Sequence, residues 1–416
     1  MPVNASGVST NPREPSLALG GRIIIPGLSL GHVAYHWIIQ SFVVALPEIQ
    51  LAFGLSSVGV GGVVSAREVA AGVVALPAGV VVDVVRRYWG LLLAGCLAAC
   101  AVGSLLMGVW PSLGISPIYW LVLAGIAVVA ISHSIWHLPA SASLSHHFQE
   151  RRGMALSFHG VGGSIGDVAG PIVTGALLLY LSWDQMLTLY AVAPLVMGLL
   201  GLWAFRNIGR GRDDEDNVSL AERVAATRAL LRTTTLWGLM VVRGLRGMAL
   251  AALITILPLY LEHVLDLSQF YRGFHIGMLI IVGLIAKSGA GYLSDRWGRK
   301  RVLVPGLIWS CVMAFLLTVF DSGIGFTITV ALLGLFLYPD QPILNAALFD
   351  VVGREVASTG LGVVACLSFL MAAVSPLIAG ALYDGPGFDF AAYYIAGLFA
   401  VSAVLFLVLP LTRRDG

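Results

Sequence analysis

Two pairs of histidines stand four residues apart within apolar stretches of the chain: His32 with His36, and His133 with His137. Residues four apart lie on one face of a helix, so each pair would present two imidazoles side by side. Imidazole has an ordinary pKa near neutrality and is a common metal ligand. The pairs therefore indicate proton transfer, contact with a polar substrate, or coordination of a transition metal.

Charged side chains also interrupt the apolar runs, and Arg243 and Arg246, three apart, share a further helix face. A charge in mid-membrane costs roughly 2.5 to 3.5 kcal/mol, so such residues are usually kept along a pathway or with a partner. We predict these substrate-binding residues: His32, His36, Gln40, Arg67, His133, His137, Arg243, Arg246, Lys287 and Asp340. We predict these proton-coupling residues: Glu68, His159 and Asp167.

Among these candidates the basic side chains outnumber the acidic ones by four to three. A guanidinium makes bidentate contacts with a carboxylate, phosphate or phosphonate, so the excess favours an anionic substrate. One alternative is that these charges only pair across helix contacts. Another is that the four paired histidines bind a transition metal, although nearby arginines disfavour a bare cation. We assign no metal ligand and no cofactor at this stage.

The elements that hold these residues are predicted from composition. The chain is 58% hydrophobic and 11% charged, with a mean hydropathy of +0.90, whereas soluble proteins carry about 25% charged residues. Apolar runs long enough to span a bilayer recur along it. We expect an all-α polytopic membrane protein with twelve spans, near residues 23–46, 57–82, 90–109, 117–141, 153–181, 186–205, 236–261, 273–293, 302–320, 324–348, 357–383 and 390–410.

Orientation is predicted from the 24 lysines and arginines, of which 19 fall on the side that holds both termini and the even-to-odd loops. The opposite loops hold only Arg272. Because basic loops stay inside, both termini should be cytoplasmic in a multi-pass protein of the cell (inner) membrane. Residues 1–20 lack the features of a cleaved signal, so the first helix should be retained.

An internal repeat divides the chain. GVVVDVVRR at 79–87 matches GYLSDRWGR at 291–299, and GPIVTGALL at 170–178 matches SPLIAGALY at 375–383, with Pro171 corresponding to Pro376. We therefore predict a six-helix bundle at 1–205, a cytoplasmic linker at 206–235, and a pseudo-symmetric six-helix bundle at 236–416.

GYLSDRWGRKR at 291–301 resembles the loop motif of the major facilitator superfamily, which joins helices 2 and 3 and recurs between helices 8 and 9. The first copy departs from the motif, since Arg86 stands where the pattern has glycine. The resemblance implies a secondary transporter that works by alternating access, with spans 1, 4, 7 and 10 lining a central cavity. Charge-assisted hydrogen bonds between the aspartates and arginines of the two copies would form a cytoplasmic gate, from Asp83, Arg86, Arg87, Asp295, Arg296 and Arg299. The basic residues could instead serve only to fix topology.

Shorter stretches resemble particular subfamilies. SHHFQERRGMALSFHGVGGSIG at 145–166 resembles monocarboxylate and oxalate-type carriers, with Lys287 where those carriers usually have an anion-binding arginine. GHVAYHWIIQ at 31–40 and SIWHLPASA at 134–142 resemble fosmidomycin-resistance exporters. GDVAGPIVTG at 166–175 is similar to a motif of proton-driven drug antiporters, and predicts close helix packing at Gly166, Gly170, Pro171 and Gly175.

These observations favour a proton-coupled carrier of a small organic anion. The alternatives are a multidrug or antibiotic proton antiporter and a carrier of a transition metal or metal chelate. An enzyme is not expected: GGSIG at 162–166 fits the GxSxG pattern but follows no strand, and no nucleotide-binding loop occurs. The expected partners are the anionic solute, protons and the lipid bilayer, with no nucleic acid, and the protein is expected to be a monomer.

Overall fold

A computed structural model describes residues 19–209, 228, 232–352 and 357–410, which contain helices and no strand. Within these ranges, the side chains of residues 19–22, 80–81, 83–84, 349, 352 and 357–361 are outside the description. Most of the predicted linker at 206–235 also lies outside the described residues. The all-α prediction is confirmed.

Each of the twelve predicted spans coincides with one helix or with a pair of consecutive helices. The first six spans correspond to α1 (Leu19–Val44) with α2 (Leu46–Phe53), α3 (Ser57–Val84), α4 (Trp89–Gly108), α5 (Tyr119–His147), α6 (Arg152–Leu177), and α7 (Trp183–Tyr190) with α8 (Val192–Ala204). The last six correspond to α9 (Thr234–His263), α10 (Gln269–Trp297), α11 (Arg299–Leu316), α12 (Gly323–Leu337) with α13 (Asp340–Val352), α14 (Ala357–Asp384) and α15 (Phe388–Val408).

Nine helical segments of the described chain are long and apolar enough to cross a membrane unaided, or ten when α1 and α2, which meet at a bend of 54°, count as one span. The two that fall short carry polar residues. α11 starts on three basic residues, Arg299, Lys300 and Arg301, and α6 contains His159 and Asp167. In a membrane, such helices need neighbouring helices to bury their polar groups.

The hydrophobic interior has two large parts. One is built mainly from α1 to α8 and includes Trp136, and the other is built from α9 to α15 and includes Phe326 and Phe399. The first also receives Ile276 and Ile280 from α10. The division at 206–235 into two bundles remains a prediction, and the two separate interiors are compatible with it.

The halves meet through corresponding helices, α3 with α14 and α6 with α10. Glycines bring these helices together at one end: a side chain at Gly175 would press on the backbone of Gly273, and one at Gly380 on the backbone of Ser57. At the same end the Asp384 carboxylate accepts hydrogen bonds from the backbone N–H groups of Ser57 (3.1 Å) and Val58 (3.2 Å). A carboxylate at a helix N-terminus is stabilising, and this one joins the two halves.

The opposite end carries the repeated motif, and we call it the motif end. Gly298 separates α10 from α11 with a φ of 95°, a conformation that L side chains rarely adopt. At the corresponding place in the first copy, Arg86 starts a short 3₁₀ helix, Arg86–Tyr88. The replacement of glycine by Arg86 thus accompanies a different turn at this position.

Candidate functional site

A cavity of about 220 Å³ lies between the two halves. α3 lines it on one side, and α9, α13 and α14 line it on the other. Its polar lining residues are Arg67, Glu68, Arg243, Arg246, Gln341 and Ser368, and its apolar ones include Leu250, Ile254, Leu344, Phe369 and Ala372. Because both halves contribute walls, the shape of this cavity depends on how the halves are arranged.

Two of its three arginines are neutralised by carboxylates. Arg67 and Glu68 are paired, with 2.5 Å between a terminal guanidinium nitrogen and Oε1 and 3.0 Å between Nε and Oε1. Arg246 Nε donates to Asp340 Oδ2 at 2.6 Å, and Asp340 is buried. Arg246 also donates to the carbonyl of Leu337, so it bridges the break between α12 and α13.

Arg243 differs from the other two. Its guanidinium donates to the side-chain oxygen of Asn345, a neutral amide, and no carboxylate of the described chain forms an ion pair with it. With Arg67 balanced by Glu68 and Arg246 by Asp340, the cavity carries one unbalanced positive charge, on Arg243. Such a charge attracts an anion most strongly where water is scarce.

The histidines form a second polar group, inside the first half. His32 and His36 of α1, His133 and His137 of α5, and His159 of α6 form one cluster, with the ring centroids of neighbouring pairs 4.2 to 5.2 Å apart. We call these five side chains the histidine cluster. A side chain at Gly163 would come within 2.7 Å of the His32 ring, so this glycine makes room for the cluster.

Asp167 lies at the edge of the histidine cluster. Its Oδ1 accepts hydrogen bonds from His36 Nδ1 at 2.8 Å and from Gln40 Nε2 at 3.0 Å. These three residues are partly exposed, whereas His32 and His159 are buried. The predicted proton-coupling residues are thus divided: His159 belongs to the cluster, Asp167 lies at its edge, and Glu68 lines the cavity.

Lys287 belongs to neither group. It is exposed on α10 and is not part of the cavity lining. The resemblance of this position to an anion-binding arginine therefore has no counterpart in the cavity that the structure describes. The predicted cavity helices divide as well, because α9 and α13 line it while the histidines of α1 and α5 lie in the cluster beside it.

The predicted gate residues of the second motif copy pair within their own half. Arg299 forms ion pairs with Asp295 and with Asp350, the latter at 3.1 Å. Partial burial lowers the pKa of Arg299, but hydrogen bonds to these two carboxylates outweigh that cost and hold the pKa above its ordinary value. Arg296 lies 3.5 Å from the hydroxyl of Tyr292.

The described residues of the first motif copy show fewer polar contacts. Arg86 lies over the ring of Trp89 at 5.7 Å, and Arg87 is exposed. The side chain of Asp83 lies outside the described part of the chain. In the arrangement seen here, no ion pair of the described gate residues joins the two halves, so the gate role remains a prediction.

A buried ion pair at the other end was missed. Arg272 of α10 is fully buried between Glu48 of α2 and Glu262 of α9, and its distance to Glu262 is 3.1 Å. It links the two halves at the end opposite the motif. In the sequence, Arg272 stands out only as the single basic residue of the opposite loops, and that isolation is the signal that could have identified it.

The predicted packing residues lie on faces of α6 that touch other helices. Gly166 and Gly170 face α1, where a side chain at Gly170 would come within 3.1 Å of Trp37. Gly175 and the carbonyl of Pro171 face Gly273 of α10. The Gly-Pro run therefore contacts both the first half and the second.

Comparisons with known proteins agree with this architecture. The family model of the Major Facilitator Superfamily matches residues 28–290 and 280–416. The uncharacterized MFS-type transporter YfnC of Bacillus subtilis is 22% identical over 73% of this chain and 74% of its own. YcaD of Escherichia coli, also named an uncharacterized MFS-type transporter, is 27% identical over 50% of this chain, and the match spans only 49% of YcaD.

Two solved structures share the fold over nearly the whole chain. A bacterial homologue of the human lysosomal transporter Spinster, in an inward-facing and unoccupied conformation, aligns over 94% of this chain and 95% of its own, with a TM-score of 0.71 and 15% identity. The nucleoside transporter NupG aligns over 93% of this chain and 100% of its own, with a TM-score of 0.75 and 13% identity. With the family model covering both halves, the chain belongs to the Major Facilitator Superfamily and is a multi-pass membrane protein.

Proposed function

We propose that this protein moves a small organic anion across the membrane by alternating access, and that Arg243 binds the anion in the cavity between the halves. The observation that carries the proposal is the environment of Arg243. Its guanidinium lines the cavity, and among the described residues its hydrogen-bond partner is the neutral Asn345. A carboxylate or phosphonate group would make two parallel hydrogen bonds with such a guanidinium and offset its charge.

The size of the cavity favours a small substrate over a bulky drug. Pockets for drug-sized ligands have volumes of roughly 300 to 1,000 Å³, and this one has about 220 Å³. Its apolar wall, which includes Leu250, Ile254 and Phe369, would accommodate a short hydrocarbon part of the substrate. The size of the cavity weighs against the multidrug alternative.

We assign proton coupling to Glu68. While Glu68 is ionised, its Oε1 holds Arg67 through two hydrogen bonds. Protonation of Glu68 would weaken that pair and leave Arg67, which lines the same cavity as Arg243, available to the anion. Anion and proton would then bind together, and affinity for the anion would rise as the pH falls. Binding of both together is what a symporter requires.

The two halves are in contact at the end opposite the motif, so the cavity would be reached from the motif end. The halves meet at Gly175 with Gly273 and at Arg272 with Glu48, at the end opposite the motif. Basic residues are concentrated on the motif side, so we propose that this side and both termini are cytoplasmic, and that the cavity exchanges with the cytoplasm in this arrangement.

The test is uptake into proteoliposomes that contain the purified full-length protein. Radiolabelled monocarboxylates, dicarboxylates and phosphonates would be compared with an organic cation at an imposed pH gradient. We expect one anion class to accumulate, with uptake lost in Arg243→Gln and partly retained in Arg243→Lys. Accumulation of the cation, or full anion uptake by Arg243→Gln, would rule out the proposal.

A further inference from the structure

We propose that His32, His137 and His159 form a binding site for one divalent transition-metal ion of the Zn²⁺ type. The site lies within the first half and uses one imidazole from each of α1, α5 and α6. It is distinct from the anion site, since none of the three residues lines the cavity.

The three side chains lie near enough to one another to share a metal ion. One ring nitrogen of each lies within 4.8 Å of a ring nitrogen of the other two. Tetrahedral Zn²⁺ with bonds of roughly 2.0 to 2.1 Å places its nitrogen ligands about 3.4 Å apart. The ring centroids of His32 and His159 are 4.2 Å apart, and those of His32 and His137 are 4.8 Å apart. The His32 and His159 rings are stacked, with 17° between their planes, so one of the two must rotate out of the stack for both lone pairs to reach one ion.

The hydrogen bond of His32 identifies its free nitrogen. Its Nδ1 lies 2.7 Å from the carbonyl oxygen of His159, and a carbonyl only accepts, so the proton must be on Nδ1. Nε2 then carries an unprotonated lone pair, and it is buried with no hydrogen-bond partner among the residues that the structure describes. A metal-bound imidazole usually has this arrangement, with its other nitrogen donating to a carbonyl or carboxylate.

His159 provides the second unsatisfied group. The residue is only 5% exposed, and within the described chain its ring nitrogens have no well-formed hydrogen bond, although the backbone carbonyl of Leu28 interacts with the ring. Buried polar groups in proteins are almost always paired, so such a side chain needs an explanation. A metal ion bound by His32 and His159 together would provide the missing partner for one nitrogen of each.

A second group of three, His36, His133 and His137, also meets the distance criterion and shares His137 with the first. We favour the first because His32 and His159 carry unsatisfied nitrogens, whereas His36 and His133 of the second are already engaged. The shared His137 would exchange its contact with His133 for the ion. His36 Nδ1 contacts Asp167, and the Nε2 atoms of His133 and His137 lie 2.8 Å apart, as in a hydrogen bond. His36 and His133 of the second group would then lie beside the bound ion, with Asp167 supplying negative charge near it.

Neutral imidazoles also suit the charge of the surroundings. Asp167 is the carboxylate that contacts the histidine cluster, so it could balance only one of five protonated rings. Several charged imidazoles packed together would repel one another in a medium of low dielectric constant. Neutral imidazoles are the form that binds a divalent cation. The positive charge of the cluster would then come from the ion and not from protonated rings.

The test is a metal titration of the full-length protein, purified in detergent, freed of any histidine tag and stripped with a chelator. Co²⁺ would be added first, because its visible absorption reports tetrahedral coordination, and Zn²⁺ would then be used to displace it. We expect one equivalent of Co²⁺ with a tetrahedral spectrum, and at least about tenfold weaker binding in His32→Gln and in His159→Gln.

The matched control is His275→Gln. His275 is also buried, but its two nitrogens are satisfied by the carbonyl of Tyr271 and the hydroxyl of Thr327. This variant should bind Co²⁺ as the wild type does. Gel filtration would check the folding of each variant. If either ligand variant fails to fold, X-ray absorption of the Co²⁺-loaded wild type and of His36→Gln gives the answer: imidazole ligation is expected in both, and its loss in His36→Gln would place the ion at the second group.

Three outcomes would overturn the assignment: no stoichiometric metal in the wild type, unchanged affinity in His159→Gln, or loss of binding in His36→Gln with retention in His159→Gln. The last would place the ion at the second group. The titration contains no transported anion, so its result does not depend on whether the proposed anion transport is correct.

Discussion

The cavity and the histidine cluster are both polar regions inside an apolar protein, but they are built differently. Helices of both halves line the cavity, whereas α1, α5 and α6 of one half hold the cluster. A rocking motion between the halves would reshape the cavity and leave the cluster nearly unchanged. The comparison suggests that the cavity is suited to a passing solute and the cluster to a group that stays bound.

The two regions also satisfy their polar groups differently. In the cavity, fixed charges are paired, as in Arg67 with Glu68 and Arg246 with Asp340, and Arg243 is the exception. In the cluster the groups are imidazoles, and in the described part of the chain His32 Nε2 and the ring nitrogens of His159 lack well-formed hydrogen bonds. The unbalanced charge of the first region calls for an anion, and the unused lone pairs of the second call for a cation.

The largest effect is expected when a paired charge of the cavity is removed. Asp340→Asn would leave Arg246 buried without its carboxylate, and breaking a buried pair in this way costs about 3 to 5 kcal/mol. Thermal unfolding in detergent would show a large fall in Tm. Asp295→Asn is the control, since Asp295 is 72% exposed and such pairs are worth about 0 to 1 kcal/mol. Equal effects of the two variants would contradict the view that the cavity depends on charge pairing.

In the histidine cluster, packing should matter more than charge. Gly163→Ala would press a methyl group against the His32 ring, where the nearest atom lies 2.7 Å away. Overpacking of this kind costs about 1 to 3 kcal/mol, and it should also weaken Co²⁺ binding. Gly160→Ala, three residues earlier on α6, meets nothing within 4 Å and should change stability by no more than about 0.5 kcal/mol. If both variants are as stable as the wild type, the cluster is more loosely packed than the structure indicates.

A smaller effect should separate the two regions by pH. Wild-type anion uptake should rise as the external pH falls, because protonation of Glu68 releases Arg67 for the anion. We expect wild-type uptake to change by about tenfold, equivalent to about 1.4 kcal/mol. Glu68→Gln mimics the protonated form, so its uptake should not depend on pH in this way. The control is His159→Gln, which should keep the pH dependence. The reverse result would transfer proton coupling from the cavity to the histidine cluster.

The sequence predicted the helices well because length and hydropathy determine them locally, and all twelve expected spans have helices at their positions. Charge and spacing also singled out Arg243 and the paired histidines, whose roles remain predictions. The sequence did not separate them into two regions, because that depends on how α1, α5 and α6 pack against one another. The contact of Arg272 with Glu48, residues 224 positions apart, was beyond local patterns for the same reason.

Lys287 gives the smallest predicted effect and the sharpest test of what the sequence resemblance meant. It is exposed on α10, outside the cavity lining, so Lys287→Gln should change anion uptake by less than about twofold and stability by no more than about 0.5 kcal/mol. Arg243→Gln removes the same charge from the cavity and should abolish uptake in the same assay. If Lys287→Gln were as damaging as Arg243→Gln, then another arrangement of the halves must bring α10 to the substrate, and the anion site would include residues that this arrangement keeps apart.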